Sequence, residues 1–163
     1  MPVHVLQRRQ LVSATLAQAW DFFSDPRNLQ RITPASLDFR ILSDLPDRMY
    51  AGMMIRYRVR PLLGIPVTWV TEITHVEEGR RFVDEQRVGP YRMWHHEHEF
   101  RDAGGGRVEI LDRVTYQLPF SWFSEPVHRV LVQPRLDDIF DFRTRAVENV
   151  FPEPAGVGEI RST

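Results

Sequence analysis

Two histidines and a few aspartates are where chemistry is best placed in this sequence. His96 and His98 stand two residues apart in the run Trp94-His95-His96-Glu97-His98-Glu99-Phe100, and Asp112 follows in the run Val108 to Tyr116. Residues two apart on an extended chain share a face, so both imidazoles project to one side of a strand. Two imidazoles and a carboxylate are, by type, a metal-binding set. A neutral imidazole oriented by a carboxylate is also a competent general base for enolisation or dehydration. Trp94 and Phe100 crowd the pair with aromatic bulk, which favours a hydrogen-bonded His96 and Asp112 pair, with catalysis by that pair as the functional alternative and no metal.

Much other chemistry is closed. The chain of 163 residues has no cysteine, and its sequence contains no lysine, so all 21 basic residues are arginine. That excludes thiolate nucleophiles, iron-sulfur ligation, Schiff bases and P-loop lysines. Gly104-Gly105-Gly106 precedes neither a helix nor a lysine, so it reads as a hairpin turn and not a phosphate cradle. No nucleophile elbow, dinucleotide fingerprint or zincin helix occurs, and no cofactor is implied. Basic and acidic residues balance at 21 to 22, net charge -1, which leaves no basic excess for nucleic acid or for polybasic membrane attraction. No run of about eighteen apolar residues and no leader-like h-region is present. The expectation is a cytoplasmic protein without stable membrane insertion; its oligomeric state is not legible.

The elements that must hold these groups follow from periodicity. Val3 to Val12 reads as a strand. Thr15 with Gln18 has the form of a capping box, and Leu16, Trp20 and Phe23 fall at helical spacing behind it. A second short helix spans Arg27 to Ile32. From Leu37 to Gln117 apolar and polar residues alternate in six runs separated by turn signals, which predicts an antiparallel meander, since parallel neighbours need long crossovers. A poorly periodic stretch through Pro126 and Pro134 leads to a long helix, about Arg135 to Phe151, with Leu136, Ile139, Phe140, Arg143, Val147 and Val150 on its inner face. About 17 residues make roughly 25 Å of helix, enough to lie across the roughly 29 Å width of six strands. The class is α+β: a sheet of about seven antiparallel strands around one long helix, in a single domain of residues 1–151 with a flexible tail over 152–163.

Folding the last hairpin about Gly104 places His96 opposite Asp112, His98 opposite Ile110, Trp94 opposite Val114 and Phe100 opposite Val108. Folding at Glu78-Gly79 places Phe82 beside His75, Asp84 beside Ile73, Gln86 beside Thr71 and Val88 beside Trp69, with Tyr57 facing Trp69 across the preceding turn. The inner face is then aromatic but interrupted by Asp84, Gln86, His96, His98 and Asp112, residues that a dry core does not choose. A dry cavity costs about 24 cal/mol per Å³, so a ligand-sized void of about 300 Å³ would cost roughly 7 kcal/mol. Polar groups that hold water in a vacant pocket relieve that cost. The expected ligand contacts are Tyr57, Trp69, Asp84, Gln86 and Trp94, then His98, Phe100, Tyr116, Phe140 and Arg143. Arg143 either binds a ligand carboxylate or phosphate or forms a structural salt bridge with Asp84 or Asp112.

The order strand, two helices, meander, long helix resembles the helix-grip fold of the START/Bet v 1-like, or SRPBCC, superfamily. Ala19 to Leu29 with Ile32-Thr33-Pro34 resembles the opening motif of bacterial members. Phe82 to Gln86, Gly89-Pro90-Tyr91, Trp94 to Phe100, Asp112 to Tyr116 and Ile139 to Arg143 resemble the body of one subfamily, described as ligand-binding, cyclase/dehydrase-like or cell-division-inhibitor-like. The resemblance covers about residues 3–150 and carries no catalytic set onto this chain. It implies binding or carriage of a small hydrophobic molecule between sheet and helix, or a polyketide cyclase/dehydratase-like activity through His96 and Asp112.

Overall fold

A computed structural model describes residues 2–61, 64–119, 126 and 128–152. Seven strands form one antiparallel sheet: β1 (His4–Ser13), β2 (Arg40–Ile41), β3 (Met53–Val59), β4 (Val67–Glu77), β5 (Arg81–Val88), β6 (Met93–Gly104) and β7 (Arg107–Gln117). Their order is β1-β7-β6-β5-β4-β3-β2, so the meander runs in sequence and β1 closes onto its last strand. In β3 burial alternates strictly, with Met53, Ile55, Tyr57 and Val59 inside and the intervening Met54, Arg56 and Arg58 outside. Period-two patterning thus fixes the buried face.

Helix α1 (Leu16–Phe23) begins at the expected capping box: Gln18 N–H donates to the Thr15 hydroxyl, and the Gln18 side chain accepts from Thr15 N–H. It buries Ala19, Trp20, Phe22 and Phe23. A 3-10 turn, Pro26–Ile32, follows with Asp25 as its N-cap. Helix α2 (Gln133–Val150) buries Leu136, Phe140 and Val147 and packs against that 3-10 turn and β1. A π-helical turn, His128–Val132, leads into it where the sequence pattern indicated no regular structure. Among the described residues no helix is long and apolar enough to cross a membrane. The expected tail lies, beyond Pro152, outside the described residues.

Three details depart from expectation. The run Leu37 to Ile41 pairs only at Arg40–Ile41, because Leu37 closes a 3-10 turn and Asp38 takes a left-handed φ of 42° that breaks extension. The β6–β7 hairpin is offset by two residues: Asp112 lies opposite His98, Val114 opposite His96, Tyr116 opposite Trp94 and Ile110 opposite Phe100. Gly104 pairs with Arg107 across a tight turn, with an irregularity between Asp102 and Gly104. A two-residue offset keeps every side chain on its face, so the inner set survives. In β4–β5 the pairs Ile73 with Asp84 and Thr71 with Gln86 hold, whereas irregularities to either side place Phe82 opposite Val76 and Val88 opposite Val70.

Candidate functional site

Core residues gather in three clusters. Trp20, Phe22, Phe23, Phe82 and Phe100 pack under α1; Tyr91, Val114, Tyr116, Leu136 and Phe140 pack under the start of α2; Met53, Ile55, Tyr57 and Ile73 pack on β3 and β4. A cavity of about 210 Å³ takes lining residues from all three. Left dry, that volume would cost about 5 kcal/mol. Its sheet wall includes Tyr57, Trp69, Asp84, Trp94, His96 and His98, and α2 supplies Leu136, Ile139, Phe140 and Arg143. A third wall comes from the end of α1 and the following 3-10 turn, with Phe22, Phe23, Pro26, Asn28, Leu29 and Ile32.

The imidazoles and the carboxylate of the sheet wall belong to one connected cluster. Adjacent rungs across β5, β6 and β7 place Asp84 opposite His96 and His98 opposite Asp112. His98 bridges both carboxylates, Nε2 at 2.7 Å from Asp84 Oδ2 and Nδ1 at 2.9 Å from Asp112 Oδ1. His96 Nε2 lies 3.0 Å from the same Asp112 oxygen, and its Nδ1 is 3.5 Å from Asp84 Oδ2. Arg143 descends from α2 to within 3.5 Å of Asp112 Oδ1, its guanidinium beside the rings of Phe23 and Phe140. Of the two carboxylates expected as ion partners, Asp112 is the one within reach, and Arg143 Nη2 also lies 3.4 Å from His98 Nδ1.

His98 Nε2 and Nδ1 each lie within 3 Å of a carboxylate oxygen, and Arg143 Nη2 also stands 3.4 Å from Nδ1. A neutral imidazole has only one N–H to give, so serving both carboxylates takes the imidazolium form. Burial opposes that charge, but the hydrogen bonds to Asp112 and Asp84 outweigh it and raise the pKa above its ordinary value. His96 moves the other way: burial, reinforced by the charge on His98, lowers its pKa. The lowered pKa favours the neutral form at neutral pH, and in that form Nε2–H can be donated to Asp112 at 3.0 Å. Asp112 is held well below the usual carboxylate range, its burial overcome by Arg143 and the two imidazoles. Asp84 is also lowered, burial being offset by His96 and His98.

Of the residues expected to contact ligand, Tyr57, Trp69, Asp84, Trp94, His98, Phe140 and Arg143 line the cavity, as does His96. Asp112, Gln86, Phe100 and Tyr116 are not among its lining residues. Asp112 stands behind the histidines. Gln86 instead clamps a turn: its Nε2 donates to Tyr91 O at 2.6 Å and its Oε1 accepts from Tyr91 N–H at 3.2 Å. Phe100 packs against Trp20 and Phe23. Tyr116, its pKa pushed up to about 12 by burial and by nearby Asp137, has its hydroxyl 2.7 Å from His128 Nε2. Burial also raises the Tyr57 and Tyr91 hydroxyls, so both remain neutral donors.

The wall built from Phe22 to Thr33 was not anticipated as a site. Its signal was present in the Asp25-Pro26-Arg27-Asn28-Leu29 motif, where Pro26 and the Asp25 cap force a 3-10 turn that faces the sheet. Asp84, His96 and His98 could also offer one ligand atom each to a cation, all within 4.8 Å. Asp112 would then hold the outer N–H of both imidazoles. A cation there would have to displace the proton shared by His98 and Asp84.

Comparisons with known proteins agree with this architecture. A protein of Mycobacterium smegmatis, Ms6760, superposes with a TM-score of 0.65 at 17% identity, covering 90% of this chain and 89% of its own. The ZhuI aromatase/cyclase of a Streptomyces species gives 0.67 at 14% identity, covering 95% and 99%. Ginseng major latex-like protein 151 gives 0.67 at 13%, covering 93% and 99%. No curated protein matches the sequence. A START superfamily protein of M. smegmatis superposes at 0.68 with 12% identity, covering 91% and 97%, so the expected helix-grip fold holds. The family model for polyketide cyclase/dehydrase and lipid transport matches residues 12–148, and this chain belongs to that family.

Proposed function

We propose that the protein binds or carries a small hydrophobic molecule between the sheet and α2. One observation carries this: a cavity of about 210 Å³, walled by aromatic and aliphatic side chains, with its buried polar groups gathered at one place. Well-packed interiors leave few voids larger than a water, and ligand sites combine an apolar lining with a few convergent polar groups. Native mass spectrometry and thermal shift with apolar probes of two or three rings test the reading. A stabilising one-to-one complex is expected. Probes that neither bind nor raise the melting temperature would remove it.

A second reading, cyclase or dehydratase chemistry, is favoured by His96. It lines the cavity, it is neutral, and Asp112 fixes its tautomer, leaving Nδ1 as the basic atom. That is the arrangement of an oriented general base. The ZhuI aromatase/cyclase among the structural neighbours fits this reading. Asp112→Asn keeps the volume and removes the anion, so the His96 pKa should fall further in an NMR titration. An unchanged titration would uncouple the two residues and remove His96 as a base.

A further inference from the structure

The charged groups on the cavity wall, together with Asp112 directly behind it, can be counted. Asp84 and Asp112 carry one negative charge each, and Arg143 and the doubly bonded His98 carry one positive charge each. His96 has one close carboxylate, Asp112 at 3.0 Å, while its Nδ1 stands 3.5 Å from Asp84 without a hydrogen bond, so a single N–H serves it. The five groups therefore sum to zero. They are buried together: His96, His98 and Asp112 are among the buried polar residues, and the Asp84 side chain is 18% exposed. The remaining charged residue in the lining, Asp25, is at the 3-10 turn and is paired with Arg27 at 3.2 Å. No surplus charge faces the cavity.

Resting on the cavity-binding reading, we propose that the site selects ligands whose polar end is uncharged, such as an amide, ketone, ester or hydroxyl on an apolar frame, over carboxylates, phosphates and ammonium groups. A charged head would enter an apolar space whose ions are already matched, losing hydration without gaining a counter-charge. Arg143 does not supply one, since its charge is matched by Asp112. A neutral dipolar head is received differently. Asp84 Oδ1 accepts no hydrogen bond among the described residues, which leaves an acceptor for an N–H or O–H. Tyr57, a neutral phenol on the same wall, can donate.

Isosteric probes that differ in charge test this directly. Calorimetry at neutral pH would compare 2-naphthamide with 2-naphthoate and with protonated 2-(aminomethyl)naphthalene, using naphthalene as the bare frame. The amide should bind at least about tenfold more tightly than either ion, a difference of roughly 1.4 kcal/mol. Naphthoate or the ammonium binding as well as the amide would overturn charge selection while leaving the cavity reading intact. If naphthalene and the amide both fail to bind, the cavity reading itself fails. Asp84→Asn removes one negative charge at constant shape, so naphthoate should gain roughly tenfold relative to the amide. An unchanged ratio there would show that charge balance at this cluster does not set the preference.

Discussion

His98 opposite Asp112 and Glu97 opposite Arg113 are successive rungs of one ladder, each a basic group facing an acidic one across β6 and β7. The inner pair stands 2.9 Å apart with side chains 5% and 9% exposed. The outer pair stands 3.9 Å apart with side chains 55% and 40% exposed. Water and mobile ions screen the outer rung, so its attraction nearly cancels against hydration and side-chain entropy. The inner rung has neither screening nor replacement solvent, and each member depends on the others for its charge state. The pleat, by turning alternate residues through the sheet, makes like chemistry inert on one side and coupled on the other.

The largest effect should come from removing the centre of the inner set. Asp112→Leu leaves Arg143 and His98 without their shared anion, and urea denaturation should register a loss of about 3–5 kcal/mol. A loss below about 1 kcal/mol would mean that the inner rung behaves like the outer one. Asp112→Asn, which retains an acceptor, should cost less.

A pH series sharpens the contrast. Folded His98 keeps its proton above the ordinary 6.5, so its contribution is whole below pH 6.5 and is lost as pH rises through the folded value. The two aspartates lie below 3.8 when folded, so theirs is whole above about 3.8 and is lost as pH falls through the folded values. His96, lowered below 6.5, subtracts stability as pH drops under 6.5, because only the unfolded chain then takes up its proton. The aspartate and His98 contributions coexist between about pH 4 and 6.5, and NMR should find His96 and His98 titrating on opposite sides of 6.5. Both histidines titrating together near 6.5 would dissolve the assigned protonation pattern.

A middling effect is expected at the edge of the cavity wall. A Cβ on Gly89 would overlap Gln86 Oε1, so Gly89→Ala must displace the amide that holds Tyr91. A loss of about 1–2 kcal/mol in denaturation is expected, since the Tyr91 backbone loses both bonds. The smallest effect belongs to the outer rung: Arg113→Ala should change stability by less than about 0.5 kcal/mol, and added salt should erase even that.

Within the meander, sequence alone placed His96, His98 and Asp112 on the inner face, because a buried face imposes period two and any error in that period exposes a whole row; the buried His128, outside the strands, gave no such signal. It did not reveal their partners. The triple glycine admits more than one turn, and the irregularity before Gly104 moved Asp112 from opposite His96 to opposite His98 without changing its face. The β5–β6 alignment had no counterpart in the sequence reading, so the role of Asp84 as the second acceptor for His98 was out of reach. The short helix expected over Arg27 to Ile32 is present as the 3-10 turn Pro26–Ile32, but its role as a cavity wall was not legible, and the π-helical turn was missed. Neither has a long enough repeat for periodicity to show which way it faces.

The edge strand β1 pairs with the strand most distant from it in the chain. Ser13 pairs with Arg107 and His4 with Tyr116, so β1 must find a partner about a hundred residues further along the chain. Contacts of that separation slow folding, since the loop must be closed before the ladder rewards it. At about 5–20 residues per second of synthesis, β1 emerges roughly 5–20 s before β7 exists to receive it. During that interval Val5 and Leu11, both still exposed in the finished sheet, sit on an unpaired strand available to any passing edge. Among the seven strands, the one made first waits longest for its partner.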